Sequence, residues 1–272
     1  MKNKIGIAFI GCGNMARAII SSMTDPASVA ALKANGKVFR IIAADRDEAK
    51  LTPLNGVCGI TLDSAHAVAE SDYVFLAVKP QDAAAALDGL DLRGKTVISI
   101  MAGVTIDRLK SLTGADRIVR VMPNLNARVG ESFNAYTAVG ISSGEATQTV
   151  LEILGSFGAY SEVDEREMDA VTGITGSGPA FVFSVIKAFR DEAVARGFDA
   201  EQAKRMAVQT VIGSALTVEK SADDLDALIS SVCSKGGTTI AGVEFLKANN
   251  FENILRGAIS ESIARSCEMS KA

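Results

Sequence analysis

Short runs of consecutive apolar residues alternate with helix-like segments between Ile5 and Val163. The runs are rich in valine and isoleucine, and glycine, aspartate or proline bounds each of them. Unbroken apolarity is typical of strands that are buried on both faces, because burial on one face alone produces strict alternation. The predicted strands are Ile5–Ile10, Val38–Ala43, Tyr73–Val78, Thr96–Ile100 and Arg117–Val121.

Most of the segments between these runs have the periodicity of helices. The predicted helices are Asn14–Met23, Asp47–Leu51, Ser64–Glu70 and Ile106–Leu112. Thr24–Lys37, in contrast, is predicted to be an extended loop. Two further strands, Asn134–Val139 and Ala159–Val163, flank a helical Gly144–Gly155 and are expected at the edge of the sheet. This alternation predicts an α/β fold, a doubly wound and mainly parallel sheet with right-handed crossovers.

The strand pattern ends at Asp164, and the rest of the chain is predicted to be helical. The predicted helices are Ala180–Arg196, Ala200–Lys220, Asp223–Val232, Thr238–Ala248 and Glu252–Glu268. Thr172–Pro179 is too rich in glycine for a helix and is expected to form either a hinge or a segment of close approach between the two halves. We therefore predict a Rossmann-type domain at residues 1–164 and an all-α domain at residues 165–272. Helices that are apolar around most of their circumference, such as the one with Phe181-Val182-Phe183, favour a subunit interface.

Composition narrows the class of protein. With 48% hydrophobic and 22% charged residues among 272, the chain is globular. A net charge of −4 leaves no basic surplus for nucleic acid, and no apolar run approaches the ~20 residues of a membrane helix. Four scattered cysteines without a C-x-x-C pair favour a cytoplasmic protein. The single histidine, His66, is expected at the surface and cannot build a zinc site alone, so no metal is expected.

The first candidate site follows the first predicted strand. Gly11-Cys12-Gly13-Asn14-Met15-Ala16 has the G-x-G-x-x-A pattern of a dinucleotide-binding turn and opens a predicted helix. Gly11 permits the tight turn, Gly13 lets the backbone approach a pyrophosphate, and Ala16 allows close packing of helix and strand. The helix N-terminus adds N–H groups and positive potential for an anion. The alternative is a glycine turn that binds no ligand.

The end of the second predicted strand bears on which nicotinamide cofactor binds. An acidic residue there hydrogen-bonds the ribose hydroxyls of NAD, whereas an arginine accommodates the extra phosphate of NADP. The sequence has both, as Asp45-Arg46. We expect NADP, bound through Arg46, with NAD as the alternative. A solvated surface arginine without a ligand is the other interpretation of Arg46.

Residues that follow other strands are further cofactor candidates, because ligands of open parallel sheets bind beyond the carboxyl ends of the strands. Ala77-Val78-Lys79-Pro80 lies at the end of one predicted strand. Met101-Ala102-Gly103 follows the next and has small side chains against which a flat nicotinamide ring can lie. Lys79 is equally well explained as a strand-end lysine that reaches solvent.

Gly236-Gly237-Thr238-Thr239 begins a predicted helix in the second half of the chain. Two glycines followed by two hydroxyls at a helix start can hold a carboxylate through free N–H groups, the helix dipole and side-chain donors. The plainer interpretation is a glycine turn with a threonine N-cap. Physical chemistry alone favours the plainer interpretation.

Five segments together resemble the pyrroline-5-carboxylate reductase family. They are Gly11-Cys12-Gly13-Asn14-Met15-Ala16, Ala77-Val78-Lys79-Pro80-Gln81, Arg120-Val121-Met122-Pro123-Asn124, Thr175-Gly176-Ser177-Gly178-Pro179-Ala180 and Ser234-Lys235-Gly236-Gly237-Thr238-Thr239-Ile240-Ala241-Gly242. The resemblance runs in order from about Lys4 to Met269, and its last two segments are far more specific than the dinucleotide turn. It implies a nicotinamide-binding domain and a helical domain that interleaves with its twin in a homodimer, often assembled into decamers. Members reduce the cyclic imino acid L-1-pyrroline-5-carboxylate to L-proline with NADPH or NADH, the last step of proline synthesis.

The same resemblance implies roles for individual residues. The backbone N–H groups of Gly237 and Thr238 are expected to bind the substrate carboxylate. Thr239 is the expected catalytic residue, with its hydroxyl near the imine nitrogen. Ser234 shapes the same loop, and Glu167 matches a family position near the substrate pocket.

Four positions depart from the family pattern. Leu125-Asn126 replaces Thr-Pro after Met-Pro-Asn, and Lys235 stands where proline is common. Ser64 stands where a cofactor-contacting asparagine is expected, and we keep it as a cofactor candidate. Because these changes bear on substrate preference, two alternatives stay open. One is a reductase of another cyclic imine, and the other is a dinucleotide-binding paralogue with a regulatory role.

Overall fold

The computed structural model describes residues 3–141 and 144–271. Their contacts define two compact units. The first takes in the described residues up to Ser177 together with those from Ser262 onward, and the second is Gly178–Glu261. The domain boundary after Asp164 stays a prediction.

The first unit is built on one eight-stranded sheet. Its strands β1 to β8 are Asn3–Ile10, Lys37–Ala44, Gly59–Thr61, Tyr73–Leu76, Thr96–Ser99, Arg117–Met122, Ser132–Val139 and Gly158–Glu162. They are ordered β3-β2-β1-β4-β5-β6-β7-β8. Strands β1 to β6 are parallel, β7 is antiparallel to β6, and β8 is parallel to β7. The predicted mainly parallel, doubly wound sheet is confirmed.

Helices cover both faces of the sheet. Helices α1 to α8 are Asn14–Met23, Pro26–Ala34, Glu48–Leu51, Ser64–Ala69, Ala83–Leu87, Ile106–Thr113, Glu145–Gly155 and Met168–Val171. Side chains alternate along a strand, so Phe9 of β1 points into one apolar cluster and Ile10 into another. Phe9 stacks on Phe75 of β4 at 4.3 Å between ring centroids, beneath α1. The second cluster lies beneath α4, α5 and α6.

The observed strands differ from the predicted ones at two places. Gly59–Thr61 was not predicted, because it is only three residues long and has little apolar character. It forms the sheet edge and pairs with β2 alone. The expectation that Asn134–Val139 lies at the sheet edge is wrong, because Ser132–Val139 lies between β6 and β8. The edge position expected for Ala159–Val163 is confirmed, since β8 ends the sheet.

The extended loop predicted for Thr24–Lys37 is wrong, because Pro26–Ala34 is helix α2. The Asp25 carboxylate accepts a hydrogen bond of 2.9 Å from the backbone N–H of Ala27 and caps the helix. Pro26 occupies the first helical position, where its missing N–H has no partner to lose. Leu32 packs into the core, so a weak local preference is stabilised by burial.

The prediction that Thr172–Pro179 is not helical is also wrong. Thr172–Gly176 is one turn of π-helix that continues α8. The hydroxyl of Thr172 donates to the carbonyl of Met168 at 2.7 Å. A Cβ at Gly173 would lie 2.4 Å from Cγ1 of Ile263, so glycine permits a close helix crossing here. Tertiary contact thus overrides the low helix propensity of this segment.

The second unit consists of helices. Helices α9 to α13 are Gly178–Ala195, Ala200–Lys220, Leu225–Ser231, Thr238–Ala248 and Phe251–Lys271, the last of which continues into the first unit. Asp199 caps α10 by accepting 2.8 Å from the N–H of Gln202, and Gly197 adopts φ +96° after α9. None of the helices within residues 3–141 and 144–271 has the length and apolarity to cross a membrane.

Candidate functional site

The candidate cofactor residues of the first unit gather at the carboxyl edge of the parallel sheet. Gly11-Cys12-Gly13-Asn14-Met15 follows β1, Arg46 follows β2, and Ala77-Val78-Lys79-Pro80 follows β4. Ala102 and Gly103 follow β5. Strands β1 and β4 are neighbours from which the chain continues in opposite directions, the position where open α/β sheets bind ligands. Ser64, the remaining candidate, begins α4 after β3.

Gly11 is required where the chain leaves β1. Its φ is +91°, and an added Cβ would lie 2.7 Å from Cγ1 of Val78 and 3.0 Å from the backbone of Ala77. Its N–H donates to the carbonyl of Ala44 at 2.8 Å. The turn after β1 is therefore packed directly against the segment after β4, which explains the first glycine of the motif.

Gly13 has a different role, because it faces open space. No heavy atom lies within 4 Å of the position that its Cβ would occupy. Gly13 is the N-cap of α1, and no side chain within the described part of the chain caps this helix. The N–H groups of its first turn and the positive end of its dipole are thus available to an anion. A dinucleotide pyrophosphate fits this cradle.

Asp45 anchors the dinucleotide turn. Its Oδ2 accepts 2.8 Å from the N–H of Cys12, and its Oδ1 accepts 2.9 Å from the N–H of Asp47. The Lys50 ammonium lies 3.4 Å from Oδ1. Burial alone would raise the pKa of Asp45, but these donors and the ammonium outweigh burial and hold the pKa below its usual value. Only 7% of Asp45 is exposed, whereas the neighbouring Arg46 is exposed to solvent.

Cys12 contributes a neutral side chain to this turn. Burial, together with the nearby Asp45 carboxylate, raises the pKa of the Cys12 thiol to about 12. The thiol therefore stays protonated at neutral pH and adds no negative charge beside the proposed phosphate cradle. All four cysteines are free thiols in this structure.

Arg17 is a further candidate for the cofactor site that was not singled out from the sequence. It lies on the first turns of α1, and its guanidinium donates to Oδ1 of Asn14. The sequence could have indicated this contact, because Asn14 and Arg17 are three residues apart and therefore share one face of the helix. Arg17 thus adds a cation beside the uncapped helix start. Lys79, by comparison, is exposed at the end of its loop.

A cavity of about 660 Å³ borders three of the candidate residues, Pro80, Ala102 and Gly103. Thr105 and Arg108 from the start of α6 also line it. A second cavity of about 260 Å³ lies along the first residues of β2, away from the candidate residues.

Asn124 organises the loop in which Leu125-Asn126 departs from the family pattern. Its Oδ1 accepts 3.0 Å from the N–H of Asn126, and its amide donates 3.0 Å to the carbonyl of Thr175. Its own N–H donates 2.9 Å to the hydroxyl of Ser132. Asn124 is 5% exposed, so the loop keeps a defined conformation without the Thr-Pro pair.

The turn before α12 brings together the candidate substrate residues of the second unit. The N–H of Gly237 donates 2.9 Å to the carbonyl of Ser234, and Gly236 has φ +69°. A Cβ at Gly237 would lie 2.2 Å from the Ser234 hydroxyl. Thr238 and Thr239 are exposed in the first turn of α12, and no side chain among the described residues caps that turn. The threonine N-cap considered above is therefore wrong, because Gly237 is the N-cap.

This turn also closes without the proline that is common at position 235. Lys235 is its second residue, and the positive φ of Gly236 at the third position is typical of a type II turn. The Gly237 N–H was expected to bind the substrate carboxylate, but it already donates to the carbonyl of Ser234. The free N–H groups at the start of the helix are therefore those of Thr238 and Thr239.

Glu167 has a structural role in the first unit. Its Oε2 accepts 3.0 Å from the N–H of Asp164, which completes a capping box with the Asp164 side chain. The Glu167 side chain is exposed. His66 is exposed as well, as expected.

Both halves of the chain match known families. Residues 165–269 match the family described as pyrroline-5-carboxylate reductase dimerisation. Residues 6–103 match the family described as NADP oxidoreductase, coenzyme F420-dependent.

Individual proteins are similar over about three-quarters of the chain or more. A pyrroline-5-carboxylate reductase of Escherichia coli is 36% identical, with 100% of both chains covered. One from Aquifex aeolicus is 43% identical over 74% of this chain and 75% of its own. A Plasmodium falciparum pyrroline carboxylate reductase, solved with NADP bound, is 28% identical with a TM-score of 0.86, covering 99% of both chains.

Proposed function

The chain belongs to the pyrroline-5-carboxylate reductase family, and we propose that it reduces L-1-pyrroline-5-carboxylate to L-proline with NADPH. It is an oxidoreductase of that family. The observation that best supports a working enzyme is the open, uncapped start of α1 after Gly13, at the switch point of the sheet. A chain that had lost its cofactor would have no need to keep this cradle free of side chains.

Bound NADPH supplies the hydride, and residues of the first unit determine how it is held. We assign the pyrophosphate to the N–H groups of Asn14 and Met15 at the start of α1. Arg46 binds the 2′-phosphate, because Asp45 is buried and its oxygens already accept the N–H groups of Cys12 and Asp47. The segments around Lys79 and Gly103 then flank the nicotinamide half of the molecule.

The turn before α12 binds the substrate in this proposal. The first N–H groups of the helix, at Thr238 and Thr239, receive the carboxylate. Gly237 lacks a Cβ, which leaves room for the Ser234 hydroxyl beside the turn. These groups position the imino acid through its charged end.

Thr239 acts on the imine nitrogen. A protonated cyclic imine is already electrophilic at carbon, so the protein has to orient it, retain its proton and exclude water. The Thr239 hydroxyl accepts a hydrogen bond from the iminium N–H and holds that proton in place while the carbon is reduced. Hydride transfer requires the reacting carbons to approach within ~3–3.5 Å.

A homodimer is part of the proposal. The second unit exposes large apolar side chains, and the family that it matches is described by dimerisation. The most exposed of these side chains are Leu225, Val232, Phe245 and Ile254, between 60% and 69% exposed. Burial of such a surface against a second copy of the chain is favourable by about 25 cal/mol per Å² of apolar area. We extend this proposal to decamers and to a cytoplasmic role in proline biosynthesis.

A steady-state assay with both cofactors tests the function. We expect oxidation of NADPH that depends on pyrroline-5-carboxylate, with proline as product and slower turnover with NADH. Tight NADPH binding without turnover on any cyclic imine would instead indicate a regulatory protein. Turnover restricted to a different cyclic imine would overturn the assigned substrate while keeping the reaction.

A further inference from the structure

The end of the last helix is bonded to Asp169 in the first unit. The hydroxyls of Ser266 and Ser270 both donate to Oδ1 of Asp169, at 2.7 Å and 2.8 Å. The two serines are four residues apart and therefore lie on one face of α13. Ser266 is only 5% exposed. About a hundred residues separate each serine from Asp169 along the chain, so these bonds fix a long-range contact.

Asp169 is an ionised acceptor in this contact. Burial would raise the pKa of its carboxyl, but the hydroxyls of Ser266 and Ser270, the thiol of Cys267 and the charge of Arg120 together lower it. Hydrogen bonds to a charged acceptor are stronger than those between neutral groups. Asp169 is therefore suited to hold the end of α13.

The same end of α13 lies against the loop that follows β5. Gly103 has φ +75°, and an added Cβ would lie 3.2 Å from the carbonyl oxygen of Met269 and 3.4 Å from the nitrogen of Ser270. Backbone thus packs on backbone, with no side chain to adjust between them. Met269 and Ser270 also form one wall of the 660 Å³ cavity that Ala102 and Gly103 border.

A second contact fixes the other end of this loop. Oε1 of Glu165 accepts 2.7 Å from the N–H of Ile106, the first residue of α6. The same oxygen lies 2.9 Å from Nη1 of Arg120, whose side chain is 5% exposed on β6. The loop 101–105 is therefore held at its α6 end by Glu165 and at Gly103 by the end of α13.

We propose that Asp169, Ser266 and Ser270 are positioning residues that hold the loop 101–105 in the shape that receives the nicotinamide ring. They act through the end of α13, which presses on Gly103, and they do not touch the cofactor themselves. The inference rests on the proposed function, because that assigns the nicotinamide half to Ala102 and Gly103. It gives the last residues of the chain a role in cofactor binding.

The full-length double variant Ser266→Ala/Ser270→Ala tests this role. We measure its dissociation constants for NADPH and for 2′,5′-ADP, a fragment without nicotinamide, and amide hydrogen exchange of residues 101–106 without ligand. NADPH should bind about fivefold to tenfold more weakly, since two hydrogen bonds are lost. Binding of 2′,5′-ADP should change less than twofold, and exchange in the loop should become faster.

Matched variants separate positioning from general stability. Ser262→Ala makes the same change one turn earlier on α13 and should leave both affinities unchanged. Asp169→Asn keeps an oxygen acceptor and should give a smaller loss of NADPH affinity than the double variant. If the double variant does not fold, Ser270→Ala alone removes only the hydrogen bond from Ser270 to Asp169. This single variant should also weaken the binding of NADPH more than that of 2′,5′-ADP.

Three results would overturn the inference. The first is unchanged loop exchange in the double variant. The second is equal weakening of NADPH and 2′,5′-ADP, the result of a merely structural role. The third is faster exchange with unchanged NADPH affinity, which shows that the loop does not hold the ring. A wild-type protein that binds 2′,5′-ADP and NADPH but reduces no imine would contradict the proposed reaction and leave the positioning role measurable.

Discussion

The backbone N–H of Cys12 donates a hydrogen bond of 2.8 Å to Oδ2 of Asp45, thirty-three residues further along the chain. This bond joins the turn after β1 to the end of β2. The carboxylate of Asp45 therefore stabilises the dinucleotide-binding turn through this hydrogen bond. The neighbouring Arg46 is exposed, so it is the group at the end of β2 that can reach a ligand.

Asp45→Ala should destabilise the protein and weaken both cofactors. The variant leaves the N–H groups of Cys12 and Asp47 without their acceptor, which costs about 1–3 kcal/mol in the free energy of unfolding. Because the phosphate-binding turn loses its anchor, the dissociation constants for NADPH and NADH should rise together. Urea unfolding and fluorescence titration measure the two effects.

Asp47→Ala is the matched control for that variant, because Asp47 is exposed and caps only the short helix α3. It should lower stability less and leave both affinities unchanged. A selective loss of NADH affinity in Asp45→Ala would show instead that Asp45 contacts the ribose.

Acidification should remove the contribution of Asp45 to stability. Its folded pKa lies below its usual value, so this contribution is full above the unfolded pKa of about 3.9 and is lost as the pH falls through the folded pKa. The difference in unfolding free energy between the wild type and Asp45→Asn should therefore be largest near neutral pH and shrink below about pH 4. Urea unfolding at pH values spaced about one unit apart between about pH 3 and pH 7 measures this difference in free energy. A constant difference would contradict an ionised anchor.

Arg46→Ala should weaken NADPH selectively. Loss of a charge-assisted hydrogen bond to the 2′-phosphate corresponds to about 1.5–3 kcal/mol, or roughly tenfold or more in the dissociation constant. NADH, which lacks that phosphate, should bind as before. Arg93→Ala is the control, since Arg93 is an exposed arginine paired with Asp91. An unchanged ratio of NADPH to NADH affinity would show that Arg46 does not bind the 2′-phosphate.

Thr239→Ala should lower kcat while leaving the affinity for NADPH within about twofold. Removal of a hydroxyl that bonds a charged iminium costs about 1.5–3 kcal/mol, a loss of roughly tenfold to a hundredfold. Thr239→Ser retains the hydroxyl and should recover most of the activity. Steady-state kinetics with saturating NADPH measure kcat. Loss of NADPH binding equal to the loss of turnover would contradict the assignment of Thr239 to the substrate.

Lys235→Pro should stabilise the turn before α12. Lys235 is the second residue of a turn whose third residue, Gly236, has positive φ, and proline is favoured at that position of a type II turn. Fewer conformations of the unfolded chain should raise the unfolding free energy by about 0.4–1 kcal/mol. Thermal unfolding compares the variant with Lys235→Ala, which lacks the charge but gains no rigidity. A lower melting temperature for the proline variant would exclude this turn type.

Local sequence was sufficient for most of the strands and helices. The buried strands appear as short apolar runs, and α1, α10 and α12 have the bounds that their periodicity predicts. These elements leave a local signal because one burial pattern repeats every two residues in strands and every 3.6 in helices. The dinucleotide turn was recognisable for a similar reason, since its glycines are spaced by the geometry of a single turn.

Other features could not be predicted from the chain's local pattern. Helix α2 depends on burial of Leu32, and the π-helical turn at Thr172–Gly176 depends on close contact between Gly173 and Ile263. In both places the local propensity is weak, and packing against distant residues decides the conformation.

The amino-acid sequence by itself determined the fold class, the family and the candidate residues along the sheet edge. Only the tertiary structure decided what Asp45 does, because an acidic residue at a strand end can face a ribose or a backbone N–H. Only the tertiary structure joined Asp169 to Ser266 and Ser270 and placed Met269 against Gly103. Such contacts connect residues far apart in the chain and leave no periodic trace in it, so they emerge only when the chain has folded.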